Sequence, residues 1–364
     1  MPWRCLPALA ALVIALGAGA AETPGAAEKP GSAETPGAAE TQAAGSGLQR
    51  EVIFGEYSPL SRSAEVARRM LSPLANEEIA RVSAASHLTL REQAIDLAHE
   101  RFGVYVPASA PPQGYALLSF IPPWQGATLP SGWARVLDKH GMIFVTASNS
   151  GNSEKTLDRR IPLALLGAYN IMQRYPVDKD RVYVGGMSGG SRVAMRVALS
   201  FPDLFHGALL NAGSDSIGND QAVLPPADLL QLFQSARLVY VTGTADTWNI
   251  DNDVGSRQSM NDWCVFQTFT ETMQRAGHEI APPGALDHAL STLDARSAPN
   301  AEKLAECRQR IARQMSAKLQ DVNDLLDRGK HHDAWQQLVK LDVRYGGLAA
   351  PQSIEIGSRI GARR

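Results

Sequence analysis

The sequence predicts an α/β fold: a mostly parallel sheet flanked by helices, with a C-terminal helical hairpin appended. Three observations predict it. Between residues 115 and 293, short apolar runs alternate with longer helical patterns, the rhythm of strand, helix, strand. One of those runs, Arg181-Val182-Tyr183-Val184, passes through a glycine-rich turn into Arg192 to Leu199, a helix-forming segment. From about residue 295 the apolar positions recur every three or four residues, with no strand pattern left.

Taken in order, residues 59–86 read as helix, split in two at Pro73 because an interior proline lacks the N–H a helix needs. Gln93 to His99 alternates through Ile95 and Leu97, and Arg101 to Pro107 through Phe102, Val104 and Val106; both read as strands, paired antiparallel. Tyr115 to Ile121 is continuously apolar, as a strand buried on both faces must be. Met142 to Val145 is a strand, and Leu157 to Tyr175 a helix with Pro162 tolerated near its start. Strands follow at Val182–Val184, Gly207–Asn211 and Leu238–Val241, then helices over Trp263–Ala276 and Ala285–Leu293. Leu304, Cys307, Ile311, Met315, Leu319, Val322 and Leu326 line one helix, which Gly329 ends; Ala334, Trp335, Leu338 and Leu341 line the next. A single hairpin cannot bury its own apolar face, so it is expected to pack on the preceding body.

The chain has 364 residues, three cysteines and a formal net charge of −2. Residues 1–20 run from an early arginine through a short apolar core to Ala18-Gly19-Ala20, the order of a secretory signal and too short a run to span a membrane. Residues 21–47 repeat Ala, Glu, Thr, Pro and Gly and read as a disordered tether. The organisation expected is therefore signal 1–20, linker 21–47, α/β domain 48–293 and helical appendage 294–364, in a secreted or periplasmic protein. Without a basic stripe the chain is not expected to bind nucleic acid. It has no C-x-x-C pair or histidine cluster to suggest a metal. Cys5 lies in the signal, and the remaining pair, Cys264 and Cys307, suggests one disulfide.

The chemistry centres on Gly186-Met187-Ser188-Gly189-Gly190. A serine at a strand-to-helix elbow projects its hydroxyl off the sheet edge, where N–H groups of the new helix can stabilise a developing anion. A serine hydroxyl needs a base, and the base needs a group to hold its tautomer. Asp246, in Gly243-Thr244-Ala245-Asp246, follows a strand end; His278 follows in Ala276-Gly277-His278. Asp215, in the turn after the preceding strand, is the rival acid, and Asp251 and Asp253 read as a solvated loop. His140 and His206 read as structural, and His288 falls on a helix.

These three segments, in this order, resemble the α/β-hydrolase superfamily, and within it the secreted branch of polyhydroxyalkanoate depolymerases and feruloyl and acetylxylan esterases. The resemblance covers about residues 93–293. It implies Ser188 as nucleophile, His278 as general base, Asp246 as orienting acid, and cleavage of a small or polymeric carboxylic ester without a cofactor. One departure stands out. The loop that carries the second oxyanion donor is Ile121-Pro122-Pro123-Trp124, and neither proline has an N–H to give. Gly189 supplies one donor, and the backbone N–H of Trp124 or Gln125 is expected to supply the other. Trp124 and Trp248 are candidate substrate-facing aromatics, Trp263 is an equal candidate for the core, and Asn152, after a strand end, is a candidate pocket residue. Two other readings remain: a prolyl-oligopeptidase-type peptidase with the same three residues, and a non-catalytic binding or scaffold protein on the same fold.

Overall fold

The computed structural model describes residues 16–17, 45–86, 89–295 and 298–361. The signal and tether readings fall outside the described residues, apart from 16–17 and 45–47. Gly47 already opens the first strand of the main sheet.

Among the described residues, eight strands form that sheet: β1 (Gly47–Val52), β2 (Phe102–Val106), β3 (Tyr115–Ile121), β4 (Met142–Ala147), β5 (Val177–Met187), β6 (Gly207–Asn211), β7 (Arg237–Gly243) and β8 (Thr268–Met273). Their spatial order is 1-2-4-3-5-6-7-8. β2 runs antiparallel to β1 and β4, and every pairing from β4 through β8 is parallel. The central strands are wholly buried because helices cover both faces. Along β3, Leu117 and Ile121 face one core while Ala116, Leu118 and Phe120 face the other; along β7, Leu238 and Tyr240 oppose Val239 and Val241. The first core is closed by α1 (Ser63–Met70), α4 (Ile161–Arg174), α5 (Gly189–Ser200) and α6 (Ala227–Phe233), and the second by α3 (Trp133–His140) and α8 (Pro283–Asp294).

Pro73 opens a second helix, α2 (Pro73–Ser86), as the sequence requires. The predicted strand at Gln93–His99 does not form. The Asp96 side chain accepts from the Ala98 N–H and winds Leu97–His99 into a 3-10 turn. Ile95 and Leu97 are buried all the same, as plugs of a loop. β2 pairs instead with β1 and β4, and the GLQREV alternation of β1 is too weak to mark a strand in the sequence.

The predicted helix at Trp263–Ala276 is also corrected. Thr268, Thr270 and Thr272 are β-branched and form β8, and Cys264 sits at φ +69°, where a right-handed helix cannot continue. The helix lies earlier, α7 (Thr247–Asp262), a segment too polar for apolar periodicity to reveal. Asp253 is consequently buried within α7 rather than in a solvated loop.

The appendage comprises α9 (Ala301–Asp327), α10 (His331–Tyr345) and an additional helix, α11 (Gln352–Gly361), which packs with α2 and α10. It lies against the body: Leu304, Cys307 and Ile311 join the first core, and a Cys264–Cys307 disulfide, with Cα atoms 5.8 Å apart, ties α9 to the segment after α7. Gly329 ends α9 at φ +72°. No helix among the described residues is long and apolar enough to cross a membrane.

At the foot of the sheet, Asp294 closes α8. Burial alone would raise its pKa, but hydrogen bonds from His140, Arg181 and Tyr183 outweigh that and hold it at about 2. A carboxyl depressed in the folded state stabilises the fold above its unfolded pKa and loses that contribution as pH falls through the folded value. Unfolding free energy is therefore expected to drop by about 2 kcal/mol between roughly pH 4 and pH 2 on account of this group. Urea titrations across that window should show a shallower decline in Asp294→Asn.

Candidate active site

β5 ends at Met187, and Ser188 turns the chain at φ +55°, ψ −124° before α5 begins at Gly189. This backbone is strained for a residue with a Cβ and is held by its surroundings. The Ser188 N–H donates to the Asn211 carbonyl at 2.8 Å. Any side chain at Gly190 would strike the Ile121 carbonyl, and one at Gly213 would strike the Ser188 carbonyl. The glycines thus let two neighbouring strands press against the elbow.

His278 reaches the elbow from the loop between β8 and α8. Buried Asn211, at the end of β6, clamps that loop: its Nδ2 donates to the Val241 and Glu279 carbonyls and its Oδ1 accepts from the Ala281 N–H. His278 Nε2 lies 2.9 Å from Ser188 Oγ, and His278 Nδ1 lies 2.7 Å from Asp246 Oδ2. Asp246 sits between β7 and the N-terminus of α7, where the helix dipole favours a negative charge. Burial would raise its pKa, but hydrogen bonds from His278 and Asn249 hold it below the usual carboxylate value.

Sequence reasoning missed Asn249 and Arg192. Asn249 is buried and donates from Nδ2 to Asp246 Oδ2 at 2.7 Å, while its Oδ1 accepts from Arg192 Nη2 at 3.1 Å. Arg192 also donates to the Ser214 carbonyl and to Asp215, and lies over the Trp248 ring at 4.8 Å from its centroid. Asp215 is therefore engaged by Arg192 and Arg196, not by a histidine. Asp253 accepts from Ser214 and Thr242, and burial raises its pKa. Both arginines lie on α5, which begins right after Ser188, but their partners come from the turn after β6 and from α7, so no local pattern marks them.

The other candidates separate. Trp248 is 65% exposed beside Asp246. Trp124 is half-buried and packs against Phe120 and the second core, its centroid 6.3 Å from the Phe120 ring. Trp263 is core, set edge-on to Tyr345. His140 is bonded to Asp287, consistent with a structural role. The Pro122–Trp124 loop stacks on the Ser150–Asn152 loop through an Asn152 N–H to Pro123 carbonyl bond of 3.0 Å. Gly189 abuts the Asn152 amide so closely that any side chain there would collide with it.

Neither a family model nor a curated protein matches this chain. Solved structures do match. A ferulic acid esterase is 17% identical over 53% of this chain and 91% of its own, with a TM-score of 0.39. An esterase from Pyrobaculum calidifontis is 14% identical over 53% and 80%, with a TM-score of 0.39. A proposed dipeptidyl aminopeptidase IV from Bacteroides ovatus is 15% identical over 53%, with a TM-score of 0.40, and this chain spans 33% of its length. A thermostable esterase is matched over 58% of its length. The strand order 1-2-4-3-5-6-7-8, the antiparallel β2 and the serine elbow between β5 and α5 are those of the α/β-hydrolase fold.

Proposed function

We propose that this chain is an exported serine hydrolase that cleaves carboxylic esters through an acyl-enzyme. One observation carries the reading: the continuous hydrogen-bonded line Ser188 Oγ–His278–Asp246 at the strained elbow. Ser188 Oγ bonds to the ester carbonyl carbon and gives its proton to His278 Nε2. The carbonyl π pair moves onto oxygen, which the Gly189 N–H stabilises. Asp246 stabilises the imidazolium and fixes Nδ1–H. Collapse expels the alkoxide, which takes the proton from His278; water then repeats the sequence to release the acid. Exposed Trp248 gives the acyl or alcohol group a flat surface to stack on. Residues 1–20 act as signal and the segment from 21 to the start of β1 as tether, the α/β domain to residue 293 carries the chemistry, and 294–364 brace the body. The Cys264–Cys307 disulfide suits an oxidising compartment.

An ester substrate is favoured over an N-terminal peptide because Asp215, a carboxylate in the turn after β6, is committed to two arginines and not to an incoming amine. The test compares p-nitrophenyl esters with aminoacyl p-nitroanilides. The expected result is a stoichiometric p-nitrophenol burst and a higher kcat/KM on the esters. Preference for the anilides would make it a peptidase; turnover of neither by folded protein would leave the binding-protein reading.

A further inference from the structure

The second oxyanion donor is where this chain departs from expectation, and the residues behind Gly189 address it. Arg160 closes a wide turn, Thr156–Arg160, in which its N–H reaches back to the Lys155 carbonyl. That turn carries its guanidinium inward, and the residue is 4% exposed. It has no salt bridge to a carboxylate among the described residues, and burial and the neighbouring Arg196 lower its pKa to about 10. Its hydrogen bonds all go to one place. Nε donates to the Ser150 carbonyl at 2.9 Å, and Nη2 to the Pro122 carbonyl at 3.1 Å and to Asn152 Oδ1 at 3.3 Å. A buried cation spent on two loop carbonyls and an amide is costly unless those groups must be held.

The geometry holds the Asn152 amide in one orientation. Its Oδ1 accepts from Arg160, so its Nδ2 is the end left over. Asn152 Nδ2 makes no hydrogen bond among the described residues; the residue is solvent-exposed and its amide lies against Gly189, with Oδ1 the nearer atom and Nδ2 beside it. The carbonyls of Pro122 and Pro123 are both occupied, by Arg160 and by the Asn152 N–H. The loop expected to donate is thereby pinned to the Asn152 loop.

We propose that the Asn152 side-chain amide is an oxyanion donor, giving Nδ2–H beside the Gly189 N–H to the substrate oxygen, with Arg160 as its positioning residue. This rests on the serine-hydrolase reading above. It adds a side-chain donor to a hole whose loop has lost two N–H groups to proline.

Asn152→Asp keeps the shape and the acceptor facing Arg160 but has no N–H to give; Asn152→Ala removes both. Both are expected to lose about 100- to 1000-fold in kcat on p-nitrophenyl acetate with KM within about threefold, as removal of one oxyanion donor does. Affinity for an alkyl trifluoromethyl ketone, which forms the tetrahedral adduct, should fall by the same factor. Because Asp also brings a charge, the neutral variant decides: a kcat for Asn152→Ala within about threefold of wild type overturns the proposal. Wild-type protein that neither turns over the ester nor takes a fluorophosphonate label overturns the hydrolase reading as well.

Discussion

Ser188→Ala and His278→Ala are each expected to lose about six orders of magnitude in kcat on a p-nitrophenyl ester, and the double variant no more than either alone. The loss corresponds to about 8 kcal/mol of transition-state stabilisation. It is non-additive because the hydroxyl and the imidazole act as one unit: without the base at 2.9 Å the serine is a weak nucleophile, and without the serine the base has no proton to take. Alanine keeps the Cβ of Ser188, so the elbow is no more strained than before. Circular dichroism and denaturant midpoint should match the wild type. Additive losses in the double variant would mean that the two residues act separately.

Asp246→Asn is expected to lower kcat about 10⁴-fold. The carboxylate accepts from His278 Nδ1 and Asn249 Nδ2 through the same oxygen, Oδ2, at 2.7 Å each. An asparagine cannot offer that charged acceptor to both. Asn249 lies 3.0 Å from His278 Nδ1 but presents an N–H there, so it cannot take over as acceptor. Its Oδ1 is already turned to Arg192. Asp215→Asn, by contrast, should keep kcat within about threefold, since its partners are arginines. The comparison of steady-state kcat decides between the two carboxylates; equal losses, or a larger loss at Asp215, would assign the acid to the turn after β6.

What could be read from the sequence follows from the range of each interaction. β3, β4 and β7 were legible because strands buried on both faces must be apolar throughout. The elbow was legible because glycine is demanded on either side of Ser188 by collisions with Ile121 and with the amide of Asn152. Asp246 was legible as the acid following β7, and His278 as the histidine of Ala276-Gly277-His278 after it, although β8 itself read as helix. α7 was not: TWNIDNDVGSRQSMND has almost no apolar face, since it buries Asn249, Asp253, Ser256 and Ser259 on hydrogen bonds. A polar helix of this kind is stabilised by partners that sequence periodicity does not encode. Arg160 and Arg192 were invisible for the same reason. Each looks like a surface arginine on a helix, and only the folded chain supplies the carbonyls and carboxylates that draw it inward. The 93–99 segment shows the reverse error, in which Ile95 and Leu97 mimic strand alternation while Asp96 caps a turn between them.

The central claim is that Ser188 is an activated nucleophile. Its most direct test is to treat the folded, purified protein with a fluorophosphonate and map the adduct by peptide mass spectrometry. The account predicts one adduct per chain, on the peptide containing Ser188, and none in Ser188→Ala. An unlabelled folded protein, or an adduct on any other residue, would contradict it.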